Sequence, residues 1–217
     1  LVLKSVPSVP LGVPDEPSES RRWWRFALPW VVISLATDFF FDIDLLLLSH
    51  LLSREELAIF GVCTRIFSLV SFGVAAVYAV TMPDMFESEA KANRSEFNRK
   101  VGEANMVASL IALCLFLILL VLSPFALQLF GPAFTAGAIP LGILSMGLIV
   151  RSVFGPASLV LSIHDRPWAS LPAIALGLFC LVVANYVLVP PFGLMGAAFA
   201  ALFAISLWSL ALWLTAW

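Results

Sequence analysis

Five charged residues lie deep inside otherwise apolar runs: Asp38, Asp42, Asp44, Arg65 and Arg151. A charge at the centre of a bilayer costs about 3 kcal/mol or more, so each needs a partner or water. Asp38 and Asp42 are four residues apart and share one face of a helix. The apolar run that carries them begins near Phe26, which puts Asp38 ~18 Å along it at the helical rise. Asp42 and Asp44 fall ~12–15 Å from the far end of the same run. Arg65 lies ~12 Å into the next run, at nearly the same depth on an antiparallel neighbour. Two chemistries are open to this set. Arg65 either neutralises the carboxylates in a structural ion pair, or lines a substrate path in which one carboxylate binds a coupling proton or cation such as sodium. Arg151 has no acid within a helical turn in sequence. Its planar fork suits phosphate, and pairing with Asp38 or snorkelling is the alternative. Glu103, Asn105 and Asn185 are weaker polar candidates. His50 and His164 fall at the ends of apolar runs, where a hydrated histidine needs no special role.

The elements that hold these residues must be membrane helices. The chain is 61% hydrophobic and 12% charged, with a mean hydropathy of +1.02. Soluble domains are about 45–50% apolar and about 25% charged. The expected solvent is therefore a lipid bilayer. The net charge of −2 offers nothing to nucleic acid. Six apolar runs are long enough to cross: 26–52, 57–82, 101–130, 134–163, 168–189 and 194–217. They are too long and too continuously apolar for barrel strands. The fold class expected is all-α, a polytopic bundle of about six transmembrane helices over 23–217. Residues 1–22 read as a polar, Pro-rich lead-in or a linker from something upstream. Residues 83–100 read as a cytoplasmic loop or a short amphipathic surface helix.

The breaks carry turn residues: Ser53-Arg54-Glu55-Glu56, Gly131-Pro132, His164-Asp165-Arg166-Pro167 and Pro190-Pro191-Phe192-Gly193. Pro124 and Gly155-Pro156 are expected to kink the third and fourth runs. Arg21, Arg22, Arg25, Lys91, Arg94, Arg99, Lys100 and Arg166 all fall on one side, and Arg54 is the only basic residue on the other. Positive-inside bias makes the first side cytoplasmic, with both ends of this segment there. Trp23, Trp24, Trp30, Trp168 and Trp217 fit interfacial belts. Cys63, Cys114 and Cys180 each sit in a separate apolar run and read as packing residues. Gly193, Gly196, Ala197, Ala200, Ala201 and Ala204 form a stripe for close helix contact. No HExxH, GxSxG, P-loop or GxGxxG is present, so neither an enzyme nor a cofactor is expected.

Several stretches resemble the oligosaccharide flippases of the multidrug/oligosaccharidyl-lipid/polysaccharide (MOP) exporter superfamily. Asp42-Ile43-Asp44, the turn at Ser53-Arg54-Glu55-Glu56, Ile59-Phe60-Gly61 and Thr64-Arg65-Ile66 are similar to that family's seventh and eighth helices. Leu129-Phe130-Gly131-Pro132-Ala133-Phe134 is similar to its LFGxxF turn, and Phe154-Gly155-Pro156 leads into a short charged loop as its tenth helix does. Pro190-Pro191-Phe192-Gly193-Leu194-Met195-Gly196-Ala197-Ala198 is similar to its P-x-Y/F-G-x-x-G-A-A turn. The order and spacing agree over about 25–217. The resemblance implies the C-terminal lobe of a two-lobe transporter in a bacterial inner membrane, with the N-terminal helical lobe upstream. It implies flipping of an isoprenoid-diphosphate-linked oligosaccharide by alternating access, in company with polysaccharide polymerase and chain-length proteins. By the same analogy Arg65 and Arg151 contact diphosphate or sugar, and Asp38, Asp42 and Asp44 are coupling or ion-pair sites. Asp38 and Asp42 depart from the family pattern by accompanying Asp44. A peptidoglycan-precursor flippase, a cation-coupled drug exporter and a non-transporting scaffold subunit are the competing expectations.

Overall fold

The computed structural model describes residues 17–91, 93–164 and 166–216. The lead-in at 1–16 and Trp217 lie outside the described residues, as do the side chains of Arg21, Arg22, Trp23, Arg25 and Trp30. The chain is all-helical, with no strand among the described residues. Its helices are α1 (Pro17–Asp38), α2 (Phe40–Leu48), α3 (Arg54–Ala90), α4 (Arg94–Gln128), α5 (Ala138–Phe154), α6 (Ala157–Ile163) and α7 (Leu171–Ala216). Short 3-10 turns at Pro132–Gly137 and Pro167–Ser170 lead into α5 and α7. Four stretches are long and apolar enough to cross a membrane: α3, α4, the span containing α5 and α6, and the span containing α7.

Three boundaries differ from expectation. Helix α1 starts at Pro17, so 17–22 belong to a helix rather than to the lead-in. The first run is two helices, because the backbone turns at Phe39 (φ −92°, ψ 4°) between α1 and α2. The expected cytoplasmic loop at 83–100 is instead the end of α3 and the start of α4. Its charges explain why. Lys91–Glu87 (2.6 Å), Arg99–Glu103 (3.1 Å) and Lys100–Glu96 (3.6 Å) are ion pairs at the helical i,i+4 spacing. Met85 and Phe97 from the same stretch are buried with Val101, Ala104, Leu159, Val160 and Ile163 in a small second core. Asn93 caps α4 by accepting from the Glu96 amide at 3.2 Å. At the other end of α3, Ser53 and Glu56 form a reciprocal capping box.

Helix α7 is a hairpin. A straight helix would hold Gly177 and Trp208 about 46 Å apart. Instead, a β-carbon at Gly177 would lie 2.8 Å from Cβ of Trp208. The reversal is at Gly193 (φ 52°), just after Pro190 and Pro191, and makes two antiparallel arms, 171–192 and 194–216. A β-carbon at Gly196 would lie 2.1 Å from the Leu188 carbonyl oxygen, so the arms close only over glycine.

The inside is made of small and aliphatic groups. Ala104, Ala108 and Ala112 face inward on α4. Ala197, Ala201 and Ala204 of the second α7 arm pack with Phe67, Leu144, Leu148 and Ile205 in the main core. The outside is apolar as well: Leu113, Leu117, Leu120, Val121 and Phe125 of α4 are all exposed. Contiguous apolar exposure along a long helix is compatible with a lipid solvent.

Candidate functional site

Two helix breaks face one cavity. On one wall α1 passes into α2 beside Asp38. On another α5 ends at Gly155 (φ 74°), where Pro156 supplies no N–H and α6 restarts at Ala157. The cavity is about 670 Å³ in volume and is lined by α1, α2, α3, α5, α6 and α7. Its charged lining residues are Asp38, Arg65 and Arg151. A cavity of this size falls in the range of about 300–1,000 Å³ typical of small-molecule sites.

Arg65 and Asp42 meet as the sequence suggested, with Nη2 donating to Oδ1 at 2.7 Å. The pair is open: its side chains are 70% and 36% exposed. Arg65 reaches the cavity while Asp42 holds it from behind. Asp44 goes elsewhere. It is wholly buried and accepts from Nδ2 of Asn185 at 2.6 Å, across to the first arm of α7. Among the described residues, Asp44 Oδ2 and Asn185 Oδ1 have no hydrogen-bond partner. The three aspartates therefore do three different things, and only Asp38 opens directly on the cavity.

Arg151 lies in the last turn of α5, where a cation also complements the helix dipole. It shares the cavity with Asp38, but among the described residues neither forms an ion pair. The guanidinium is thus left with its donors for something else. The same cavity is lined by hydroxyls whose protons are already committed. Ser71 donates to the Ser68 carbonyl at 2.8 Å, and Ser162 to that of Ser158 at 2.9 Å. Their oxygens keep acceptor capacity toward the cavity. Phe41, Phe72 and Trp208 supply apolar faces.

A residue that the sequence did not single out, Tyr78, also lines the cavity. It donates to Oδ1 of Asn105 at 3.0 Å, and Asn105 Nδ2 donates to the carbonyl of Val153 at 3.2 Å. The one available signal was rarity, since the chain has only two tyrosines. Asn185 gains a definite role as the partner of Asp44. Glu103 pairs with Arg99 at 3.1 Å, and His164 stands 3.6 Å from Glu89. Comparison with protein-family models, with curated proteins and with solved structures finds no match to this chain.

Proposed function

We propose that this chain forms the second helical bundle of a membrane flippase, and that its cavity receives the diphosphate end of an isoprenoid-linked oligosaccharide. In this reading α1 with α2, α3, α4, α5 with α6, and the two arms of α7 make six crossings of a bacterial inner membrane. The basic turn between α3 and α4 then faces the cytoplasm, as do both ends of the segment. The upstream N-terminal lobe closes the other side of the path.

The carrying observation is Arg151: an arginine with no ion pair among the described residues, on the wall of a cavity inside an apolar bundle. Such a residue is retained against a substantial cost, and that favours a ligand that completes it. A phosphate accepts two parallel hydrogen bonds from the guanidinium fork. Arg65, already balanced by Asp42, adds donors at the rim. Aromatic faces suit the sugar rings, and the acceptor-rich serine oxygens suit sugar hydroxyls. The volume fits the head of such a lipid rather than its whole oligosaccharide. Discontinuous helices at a polar site are also the arrangement through which transporters place backbone dipoles beside substrate.

Binding by the purified chain in detergent tests this. Farnesyl diphosphate should bind and farnesol should bind far more weakly. Arg151→Ala should weaken farnesyl diphosphate by about tenfold to a hundredfold, as loss of a charge-assisted contact does. Equal binding of the two ligands, or an Arg151→Ala protein that binds like the parent, would reject the reading.

A further inference from the structure

We infer that Asn105, held by Tyr78, is the positioning residue for Arg151: its side-chain amide replaces the backbone donor that the α5 break removes. This rests on the reading of Arg151 given above. In an unbroken helix the Val153 carbonyl would accept from the amide of residue 157. Here the Ala157 amide turns back to the Gly155 carbonyl at 2.9 Å. The Gly155 amide is shared between Arg151 and Ser152, at 3.2 Å each. Among the described residues the Val153 carbonyl, two residues after Arg151, has no main-chain donor. Asn105 reaches across from α4 and provides one.

The direction of that amide is fixed rather than assumed. A carbonyl can only accept, so Val153 requires the Nδ2 side of Asn105. The Tyr78 hydroxyl then donates to the Oδ1 side. Tyr78 comes from α3, so one amide fastens α3, α4 and the last turn of α5 together. The contact is close as well as polar. A β-carbon at Gly155 would lie 3.1 Å from Asn105 Oδ1 and 3.3 Å from its Cγ. The positive φ at Gly155 and the missing side chain therefore both serve to bring Asn105 onto the break. Without the clamp, the terminal turn of α5 has an orphan carbonyl and freedom to fray. Arg151 sits in that turn, and its fork must hold a fixed angle to bind a phosphate by two bonds.

The test compares farnesyl diphosphate with farnesol on the purified chain. Asn105→Leu should weaken the diphosphate about tenfold, the effect of misplacing one charge-assisted contact, and leave farnesol unchanged. In an Arg151→Ala background, Asn105→Leu should have no further effect, because there is no guanidinium left to place. Equal losses for both ligands would show a merely structural role and overturn the inference. So would a diphosphate affinity that falls with Arg151→Ala but not with Asn105→Leu, in which case the ligand reading survives. An Arg151→Ala protein with unchanged affinity would remove both. Should Asn105→Leu fail to give monodisperse protein, Tyr78→Phe removes only a hydroxyl. It should weaken the diphosphate about threefold by loosening the amide, and an unchanged affinity would again overturn the assignment.

Discussion

At the scale of single residues, the two aspartates nearest in sequence have opposite energetics. Asp42 meets Arg65 in the open, so its Coulomb gain is screened and offset by side-chain ordering. Arg65→Gln should cost about 0.2–1 kcal/mol of stability, read as a small fall in unfolding midpoint in detergent. Asp44 meets Asn185 with no solvent at all. Asp44→Leu strands the Asn185 amide and should cost about 1–3 kcal/mol, as should Asn185→Leu. The double Leu variant should lose much less than the sum, because two apolar groups leave nothing stranded. Strict additivity in that cycle would mean that the 2.6 Å contact does not exist in the protein. These residues also show what the sequence conceals. The Arg65–Asp42 pair joins positions 23 apart on adjacent antiparallel helices, and depth alone brought them together. Asn185 lies 141 residues from Asp44, and nothing local marks it as the partner.

At the scale of elements, the glycines at the breaks decide the path of the chain. The α7 hairpin closes only if no β-carbon stands at position 196. Gly196→Ala should therefore destabilise the protein by several kcal/mol, since a backbone carbonyl cannot move aside as a side chain can. Gly102, inside α4, has nothing within 4 Å of its missing β-carbon. Gly102→Ala should raise stability by about 0.5–1 kcal/mol through helix propensity alone. Thermal unfolding of the two variants checks both signs. The breaks at Gly131-Pro132, Gly155-Pro156 and Pro190 to Gly193 were legible because Gly and Pro punctuate a helix by themselves. The turn at Phe39 was not, since it contains neither. At 83–100 hydropathy stops at the charges, whereas the helices continue through them on i,i+4 pairs. Tyr78 and Asn105 were under-read for a related reason. Their meaning comes from a carbonyl 48 residues away from Asn105 that loses its helical partner.

At the scale of the whole molecule, the helices present apolar outer faces and enclose a cavity with charged residues on its wall. Cys114 lies on the outer face of α4 and is exposed, so in a membrane it meets lipid. Ser158 lines the cavity beside the α5 break. In a bilayer these two positions should differ in access to water, although neither is fully buried in the isolated bundle. The most direct measurement follows from that contrast. In membranes, the rate of modification by a charged thiol reagent is compared between a Ser158→Cys protein, with its native cysteines replaced by Ala, and the parent, which reacts through Cys114. The Ser158→Cys protein should react rapidly and be protected by farnesyl diphosphate only while Arg151 is present. The parent should remain unmodified except by a membrane-permeant maleimide. Equally slow reaction of both, or rapid charged labelling of Cys114, would contradict a charged, water-filled cavity enclosed by lipid-facing helices.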